Sequence, residues 1–336
     1  MRRQGNDGMA ERPLISYVLP VYNEAQGIDR FYEELRAATD SLVDRYDLEL
    51  VFVNDGSRDG SLEALRAIHA RDDRVVVVDF SRNYGHQLAV TAGLDVARGD
   101  AVVIMDTDLQ DPPAVSLQLI ERWEAGVDVV YAQRRSRQDG PLKRWTAHVY
   151  YRLLARLSTI EIPRDTGDFR LISRRVADEL RKYREANRYV RGMVADVGFR
   201  QEAVAFDRDA RFAGTTGYSL AKMLRLASDG ILGFSTKPLQ LISRLGAAIS
   251  VLSVFVLVYV LAVKVFSPET AIPGWAFLAV GVFFLGGVQI SMLGVLGGYI
   301  GRIYIEAQDR PLYIVRDVIS TVPLGADGRA LPRELT

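Results

Sequence analysis

The 336-residue sequence contains no cysteine, and this absence excludes several kinds of site. Disulfide bonds, thiolate metal ligands and a cysteine nucleophile are all ruled out. The sequence also lacks an excess of either charge, because Lys plus Arg and Asp plus Glu each number 42. Such a chain has no overall field to attract nucleic acid, so any electrostatic function must come from local groups.

Two glycine-rich phosphate-binding motifs are missing as well. The sequence has no GxGxxG and no GxxxxGK[ST], so it indicates neither a Rossmann dinucleotide site nor a P-loop. A nucleotide can still bind if a metal, rather than a glycine-rich loop, meets its phosphates. The first apolar run, 14–21, is too short and too interrupted for a signal-peptide core. We therefore expect the domain that follows it to be cytoplasmic.

Long apolar runs, in contrast, are present near the C-terminus. Leu245 to Phe266 and Trp275 to Ile300 each meet the requirement of about 20 apolar residues for a membrane span. The alternative is a pair of buried core helices. The short loop between the two runs favours a transmembrane hairpin, which would make the protein a multi-pass protein of the bacterial inner (cell) membrane.

Charges on the flanks of these runs predict the orientation of the hairpin. Basic residues lie before the first run and after the second, whereas the loop 267–274 contains no Lys or Arg. The positive-inside rule then puts both termini in the cytoplasm. The second run also contains two overlapping GxxxG spacings, Gly294 with Gly298 and Gly297 with Gly301. These allow close helix packing, either within the hairpin or in a homo-oligomer.

The N-terminal half of the chain alternates strand-like and helix-like segments. Near-continuous apolar runs predict five strands, at 15–23, 48–55, 74–80, 101–108 and 127–134. Helical patterns lie between them, as at 27–42 and 61–70. This rhythm predicts an α/β fold with a mainly parallel sheet, in which ligands bind beyond the carboxyl ends of the strands.

The fourth predicted strand ends in a cluster of carboxylates, in the stretch "VVIMDTDLQDPP". Residues at i and i+2 of a strand share a face, so Asp106 and Asp108 can point together, with Gln110 as a neutral oxygen ligand. Oxygen ligands suit Mg²⁺ or Mn²⁺, and a cation would relieve the repulsion between the carboxylates. A DxD by itself also fits a solvated turn, and Asp111 before two prolines fits a helix cap. His86, after the third strand, is interpreted as the start of a helix.

Five motifs occur together in the order "PVYNE", "VNDGSRDGS", "SRNYGHQLA", "MDTDLQDPP" and "TGDFRLISR". In combination they resemble the family-two glycosyltransferases of GT-A fold. The similarity is greatest to the dolichol-phosphate mannosyltransferase and bactoprenol-phosphate glucosyltransferase group, including its bacterial members with two spans. The resemblance implies a Rossmann-like GT-A catalytic domain, interfacial helices and a two-helix C-terminal hairpin.

The resemblance also implies roles for individual residues. Asp106, Asp108 and Asp168 match catalytic positions, and Asp106, Asp108 and Gln110 match the metal site. The residues that match nucleotide-sugar-binding positions are Pro20, Tyr22, Glu24, Asp55, Asn83 and Asp106. Those in segments that similar enzymes use near the acceptor phosphate are Arg134, Lys143, Arg144, Arg208 and Arg211.

The reaction implied by this resemblance is inverting transfer of a sugar from a nucleotide diphosphate sugar to a polyprenyl phosphate in the inner leaflet. UDP-glucose is the favoured donor, with GDP-mannose and UDP-N-acetylglucosamine as alternatives. A phosphate monoester is already largely ionised at pH 7, so Asp168 can orient the acceptor or balance charge rather than remove a proton. A processive polysaccharide synthase and a non-catalytic, membrane-anchored nucleotide-sugar-binding protein are the competing interpretations.

The predicted organisation has five parts. A flexible tail is followed by the catalytic domain, a juxtamembrane interfacial helix, the hairpin and a cytoplasmic tail, at 1–12, 13–218, 219–243, 244–301 and 302–336. A second interfacial helix, amphipathic and rich in Lys, Arg and aromatic residues, is predicted at 141–157.

Overall fold

The computed structural model describes residues 12–134, 166–186, 188–206, 237–266 and 274–321. The chain divides into two compact units. One unit is an α/β domain that contains all the strands described below, and the other contains two long helices.

The α/β unit begins with regular alternation of strands and helices. Its first seven elements are β1 (Leu14–Val21), α1 (Ile28–Thr39), β2 (Asp47–Asn54), α2 (Ser61–His69), β3 (Val75–Phe80), α3 (His86–Val96) and β4 (Ala101–Ile104). The elements that follow are α4 (Val115–Glu124), β5 (Val129–Arg134), β6 (Thr166–Ser173), α5 (Arg174–Lys182), α6 (Val190–Asp196), β7 (Gln201–Phe206) and β8 (Val315–Ile319). All five strands predicted from the sequence are confirmed.

One sheet joins the eight strands in the order β7-β5-β6-β4-β1-β2-β3-β8. The four strands β4, β1, β2 and β3 are parallel to one another, so their carboxyl ends meet at one edge. Every residue of β1, β3 and β4 is buried. This explains the continuous apolar runs, because both faces of a parallel sheet are covered.

Helices cover the sheet on both faces. Phe31, Leu35, Leu65 and Leu119 from α1, α2 and α4 belong to one core cluster. The other face carries a smaller cluster, in which Ala89, Ala92 and Val96 of α3 pack against valines of β2 and β3. The α/β architecture with a mostly parallel sheet is therefore confirmed.

Three strands were not predicted, and one of them, β7, pairs in parallel with β5 at one edge of the sheet. β6, from the "TGDFRLIS" segment, lies antiparallel between β4 and β5, so the fifth predicted strand does not pair with the fourth. β8 comes from residues that the sequence analysis assigned to a C-terminal tail, and it pairs antiparallel with β3 at the edge of the sheet. The strands were predicted from the alternation of strand and helix patterns between residues 15 and 134, and all three unpredicted strands lie beyond that stretch.

The second unit consists of α7 (Lys237–Phe266) and α8 (Trp275–Ala307). Both predicted apolar runs are therefore helical. Among the described residues, one segment, Phe284–Ala307, is long and apolar enough to cross a membrane, with a mean hydropathy of 1.4. The predicted interfacial helix at 141–157 and most of the one at 219–243 lie outside the described residues.

Candidate functional site

A cleft of about 270 Å³ opens at the carboxyl ends of the parallel strands. Its wall combines an aromatic ring, carboxylates and backbone from four strand ends. All six residues that the sequence analysis assigned to nucleotide-sugar binding line it, namely Pro20, Tyr22, Glu24, Asp55, Asn83 and Asp106. Asp108 and His86 line it too. The Tyr22 residue is 47 % exposed, so its ring is not a core aromatic.

Short polar side chains join the loops after β1 and β2. Asn23, in a left-handed conformation with φ 56°, accepts a hydrogen bond at Oδ1 from the Arg58 amide at 2.9 Å. The Asn23 amide donates to Ser57 Oγ at 3.0 Å, and the Glu24 amide donates to Ser61 Oγ at 2.9 Å. Asn tolerates this backbone conformation better than most residues. The motifs "PVYNE" and "VNDGSRDGS" therefore meet through their own side chains.

Asp55 directly follows β2, accepts hydrogen bonds from the loop after β3 and is only 3 % exposed. It accepts hydrogen bonds from the Tyr84 amide at 2.6 Å, the Gly85 amide at 2.9 Å and Asn83 Nδ2 at 3.0 Å. Burial raises the pKa of Asp55, although the two backbone hydrogen bonds oppose that effect. Asp55 is thus a loop organiser as well as a cleft residue.

Gly56 explains why this loop can approach so closely. Its φ is +62°, and a Cβ atom there would lie 2.3 Å from the Arg82 carbonyl carbon. Only glycine accommodates both the conformation and the contact.

The acidic turn after β4 exposes carboxylates to the cleft. Burial, followed by repulsion from Asp168, Asp108 and Asp111, raises the pKa of Asp106 to about 6 despite the opposing influence of His86. Asp108 accepts a hydrogen bond from the Gln110 amide at 3.1 Å, across Leu109, whose φ is +58°. This local turn directs the Asp108 carboxylate.

The three predicted metal ligands do not all line the cleft. Asp106 and Asp108 line the cleft, whereas Gln110 is 6 % exposed and is not among the cleft residues. Within the described part of the chain, no group of three or more His, Asp or Glu side chains is arranged to hold a metal ion. Mg²⁺, however, commonly binds through one or two carboxylates plus substrate phosphates. Two carboxylates at one cleft, Asp106 and Asp108, fit that mode of binding.

Asp168, in β6, is surrounded by hydrogen-bond donors. Its carboxylate accepts from Arg191 Nε at 2.6 Å and Nη2 at 3.2 Å, and lies 2.9 Å from His86 Nε2. Burial alone would raise the pKa of Asp168, but the hydrogen bonds and charges of His86 and Arg191 outweigh it and hold the pKa well below the usual range. A carboxylate in this state is a weak proton acceptor.

His86 bridges the two acidic centres. It begins α3, as the sequence analysis interpreted it, but its ring also lies between Asp168 and Asp106, with Nδ1 3.7 Å from Asp106 Oδ1. Because Asp168 is ionised, it can only accept, and Nε2 of His86 therefore carries the proton. Burial lowers the pKa of His86, but the Asp168 hydrogen bond and the two negative charges outweigh it and raise the pKa above its ordinary value.

Arg191 and Gln87 are further residues that sequence reasoning missed. Gln87 Oε1 accepts from the Val190 amide at 2.8 Å, which fixes the start of α6 and with it Arg191. No sequence motif surrounds Arg191. For His86, its position directly after a strand end was a usable signal.

The predicted acceptor-phosphate residues are not brought into this cleft by any described contact. Arg134 ends β5. The other four, Lys143, Arg144, Arg208 and Arg211, lie outside the described residues.

The sequence matches the family described as Glycosyl transferase family 2 over residues 16–181. An uncharacterized glycosyltransferase, YkcC, of Bacillus subtilis (strain 168) is 50 % identical over 309 residues, which cover 92 % of this chain and 95 % of that protein. The bactoprenol glucosyl transferase of Shigella phage SfV is 41 % identical over 304 residues, covering 90 % of this chain and 98 % of that protein.

Solved structures with a similar fold are more distant. Glucosyl-3-phosphoglycerate synthase from Mycobacterium tuberculosis, solved with Mn²⁺, UDP and phosphoglyceric acid, is 23 % identical, with a TM-score of 0.45. The similarity covers 66 % of this chain and 76 % of that one. The mannosyltransferase PcManGT from Pyrobaculum calidifontis, solved with GDP-Man and Mn²⁺, is 18 % identical over 88 % of this chain and 87 % of that one, also with a TM-score of 0.45. Likeness of this degree does not locate a ligand in the cleft.

Proposed function

Because the chain belongs to glycosyl transferase family 2, as its motifs predicted, we propose that it transfers a sugar from a nucleotide diphosphate sugar to a polyprenyl phosphate. It is a glycosyltransferase; the donor and the acceptor are the proposed parts. The observation that carries the proposal is the similarity to bactoprenol glucosyl transferases along nearly their whole length, apolar helices included. UDP-glucose is the favoured donor for the same reason, and GDP-mannose and UDP-N-acetylglucosamine are the alternatives.

The cleft offers a site for the donor. Asp55, Asn83, Asp106, Asp108 and the exposed Tyr22 ring all line this cleft. In the proposal, Tyr22, Asp55 and Asn83 contact the nucleoside, and Asp106 and Asp108 lie near the diphosphate. Two carboxylates would repel a diphosphate, so donor binding requires a compensating positive charge. Asp106 and Asp108 would hold Mg²⁺ or Mn²⁺ for this purpose, with donor oxygens completing the coordination. The bound cation would neutralise charge on the leaving nucleotide.

Asp168 has a positioning role in this proposal. The acceptor phosphate has its second pKa near 6 and needs no strong base at pH 7. Asp168, held ionised by Arg191 and His86, would fix the positions of those two side chains, of which His86 lines the cleft. The main barrier in this proposal is electrostatic, because the anionic acceptor must approach an anionic donor. The acceptor attacks the anomeric carbon from the face opposite the nucleotide, so the configuration inverts. The acceptor-phosphate role of Arg134, Lys143, Arg144, Arg208 and Arg211 remains a prediction.

Membrane attachment would bring the enzyme to its lipid acceptor. Large apolar side chains are exposed along both helices, for example Phe255 at 68 %, Tyr259 at 69 % and Ile290 at 72 %. Exposed apolar surface of this extent marks a membrane or partner contact. We propose a hairpin with spans near 245–266 and 275–300, a cytoplasmic catalytic domain from about 13 to 218, and the lipid-linked sugar formed at the inner leaflet of a bacterial cell membrane.

A homo-oligomer is part of the same proposal. A Cβ added at Gly294, Gly297 or Gly301 would meet no atom within 4 Å, so this glycine face has room for a neighbouring helix. Replacing Gly294 and Gly298 by Leu is expected to lower the molecular mass measured by light scattering in detergent. An unchanged mass would contradict the oligomer.

The deciding experiment is transfer of radiolabelled sugar into lipid. Full-length enzyme, undecaprenyl phosphate and Mg²⁺ are mixed with each of the three labelled donors, and label is counted in the organic phase. We expect label there with UDP-glucose, none with excess chelator, and none with Asp108→Ala. Asp44→Ala, an exposed acid outside the cleft, is the matched control and keeps full activity.

The competing functions give different results. Label in a water-insoluble polymer would indicate a processive polysaccharide synthase. Donor binding without transfer to any acceptor would indicate a binding protein. Full transfer in excess chelator would leave the acceptor assignment intact but overturn the role given to Asp106 and Asp108.

A further inference from the structure

The loop between β3 and α3 is the part of the cleft that holds Asp55. This loop, residues 81–85, contributes the three donors to the Asp55 carboxylate described above and leads directly into His86. Its conformation therefore sets the position of both side chains. Part of what fixes the loop lies outside the family-matched segment, residues 16–181.

Residues 311–319, which we name the post-helix segment because they follow α8, bind the first residue of this loop on both sides. The Ser81 amide donates to the Ile314 carbonyl at 3.0 Å. Arg316 Nη2 donates to the Ser81 carbonyl at 2.8 Å, and its Nη1 lies 3.4 Å from Asp79 Oδ2. Both backbone polar groups of Ser81 are thus held by the post-helix segment.

An aromatic stack extends the contact into the loop. The Tyr313 ring stacks on Phe80, with centroids 5.0 Å apart and an interplanar angle of 21°. Phe80 in turn meets Tyr84 edge to face at 5.5 Å. The Tyr84 amide is the closest of the Asp55 donors, at 2.6 Å. Three rings therefore connect the post-helix segment to the Asp55 carboxylate.

The hydroxyl of Tyr313 reaches the far end of α3. It donates to Asp95 Oδ2 at 2.7 Å, and the largely buried Asp95 pairs with Arg184 at 3.0 Å. Because α3 begins with His86, Tyr313 contacts the residue before the loop through its ring and the helix after the loop through its hydroxyl.

We propose that Tyr313 and Arg316 are positioning residues for the donor site, acting through the loop 81–85 on Asp55 and His86. The inference rests on the proposed function in that the Asp55 side of the cleft receives the nucleotide. Under this proposal, residues that follow the apolar helices contribute to donor binding, although no sequence motif includes them. Neither residue lines the cleft, and both act on its nucleotide side, so we expect the effect on donor affinity to exceed the effect on the chemical step.

The test measures binding of UDP-glucose with Mg²⁺ to the full-length enzyme in detergent, for the wild type and four variants. Tyr313→Leu removes the stack and Arg316→Met removes the Ser81 contact. Each is expected to raise the Kd by roughly 2- to 10-fold, the factor that corresponds to one aromatic pair or hydrogen bond. Tyr313→Phe keeps the stack and loses only the Asp95 bond, so it should lower the melting temperature but bind UDP-glucose nearly as the wild type does.

Asp317→Ala is the matched control. It lies on the same strand, its side chain is 53 % exposed, and its nearest cation, Arg66, is 3.9 Å away. It should leave the Kd unchanged. Equal Kd values for Tyr313→Leu, Arg316→Met and the wild type, all folded at the assay temperature, would overturn the inference. So would an equal loss of affinity in Tyr313→Leu and Tyr313→Phe, because that pattern follows stability rather than the stack.

Failure of the proposed function is distinguishable from failure of this inference. If the wild type binds none of the three nucleotide sugars, the donor assignment fails. The conformation of the loop is then tested directly by measuring the rate of amide hydrogen exchange in the peptide that contains Tyr84 and Gly85. Tyr313→Leu should speed that exchange and Asp317→Ala should not, and unchanged exchange in both would refute the role of the post-helix segment.

Discussion

At the scale of single residues, two carboxylates differ in their pKa although both are aspartates and both lie near His86. Asp168 is held ionised by hydrogen bonds from Arg191 and His86, whereas Asp106 has its pKa raised to about 6 by burial and by the acids around it. Environments that push titratable groups apart are typical of functional sites. Here the two carboxylates predict opposite effects when their charge is removed.

Asp168→Asn should lower stability and spare donor binding. Losing charged hydrogen bonds from Arg191 and His86 should cost roughly 1.5–3 kcal/mol per bond at pH 7. Because the pKa of Asp168 is lower in the folded state than in the unfolded chain, this stability is present above about pH 4 and is lost as the pH falls toward the folded value. Thermal unfolding of both forms across pH 3–7 measures the difference.

The turnover of Asp168→Asn decides between positioning and base catalysis. A positioning residue should lose less than about 100-fold, whereas loss of an obligatory base typically costs about 10²–10⁴-fold. Glu49→Gln is the control, since Glu49 is buried, accepts from Arg98 at 2.7 Å and lies at the opposite end of the sheet. It should lose stability without losing turnover. Near-complete loss of turnover in Asp168→Asn, with donor still bound, would restore the general-base assignment.

Asp106→Asn should raise stability and abolish transfer. The pKa of Asp106 is raised in the folded state, so its charge destabilises the fold progressively as the pH rises from about 4 to above 6. Its side chain is 35 % exposed, and solvent screens part of the effect. We expect a melting temperature about 2–4 °C higher at pH 7.5, the shift that roughly 1 kcal/mol gives in a domain of this size, and no gain at pH 4. A lower melting temperature at pH 7.5 would show that the carboxylate is compensated.

At the scale of elements, α3 connects the core to the cleft. Every residue from Ala89 to Val96 is buried, and the helix starts at His86 after Gly85, whose φ is +100°. The helix lies directly on β1, because a Cβ added at Gly93 would come within 2.3 Å of Val18 Cγ1. The depth of this packing sets how far His86 reaches into the cleft.

Gly93→Ala should therefore destabilise the protein, although glycine to alanine normally stabilises a helix by roughly 0.5–1 kcal/mol. Overpacking of this kind typically costs about 1–3 kcal/mol, since α3 or β1 must move. Gly60→Ala is the control, because its added Cβ would lie 3.8 Å from Ala25 Cβ, an ordinary contact. Denaturant unfolding of both variants measures the difference. Greater stability of Gly93→Ala would mean that α3 can shift at little cost.

At the scale of the whole molecule, an α/β unit with a GT-A-like sheet is combined with a unit of two long apolar helices. The chain leaves the α/β unit, forms both helices and returns to the sheet as β8. The last strand of the α/β unit, β8, therefore follows both helices in the sequence. In the proposed topology, both ends of the hairpin and both termini of the chain are cytoplasmic.

Cysteine labelling tests that topology without background from native cysteines of the protein, since the chain has none. Cysteine introduced at Thr270, in the loop between the helices and outside the described residues, should react in intact cells with a membrane-impermeant reagent. Cysteine introduced at Asp317 on β8 should react only after the cells are opened. The reverse pattern would refute the orientation, and labelling of both in intact cells would contradict a membrane barrier between them.

The sequence by itself determined the family, the parallel core of the sheet and residues that line the cleft at its carboxyl edge. It could do so because each depends on local pattern: apolar runs make buried strands, and motifs at strand ends converge wherever parallel strands lie side by side. Only the tertiary structure decided the state of the acids, the place of Arg191 and the role of β8. Asp106 and Asp168 are the same residue type, and their pKa values diverge because of neighbours brought in from α3 and α6. Tyr313 contacts Asp95 across 218 residues of sequence, a separation at which no periodicity or motif carries information.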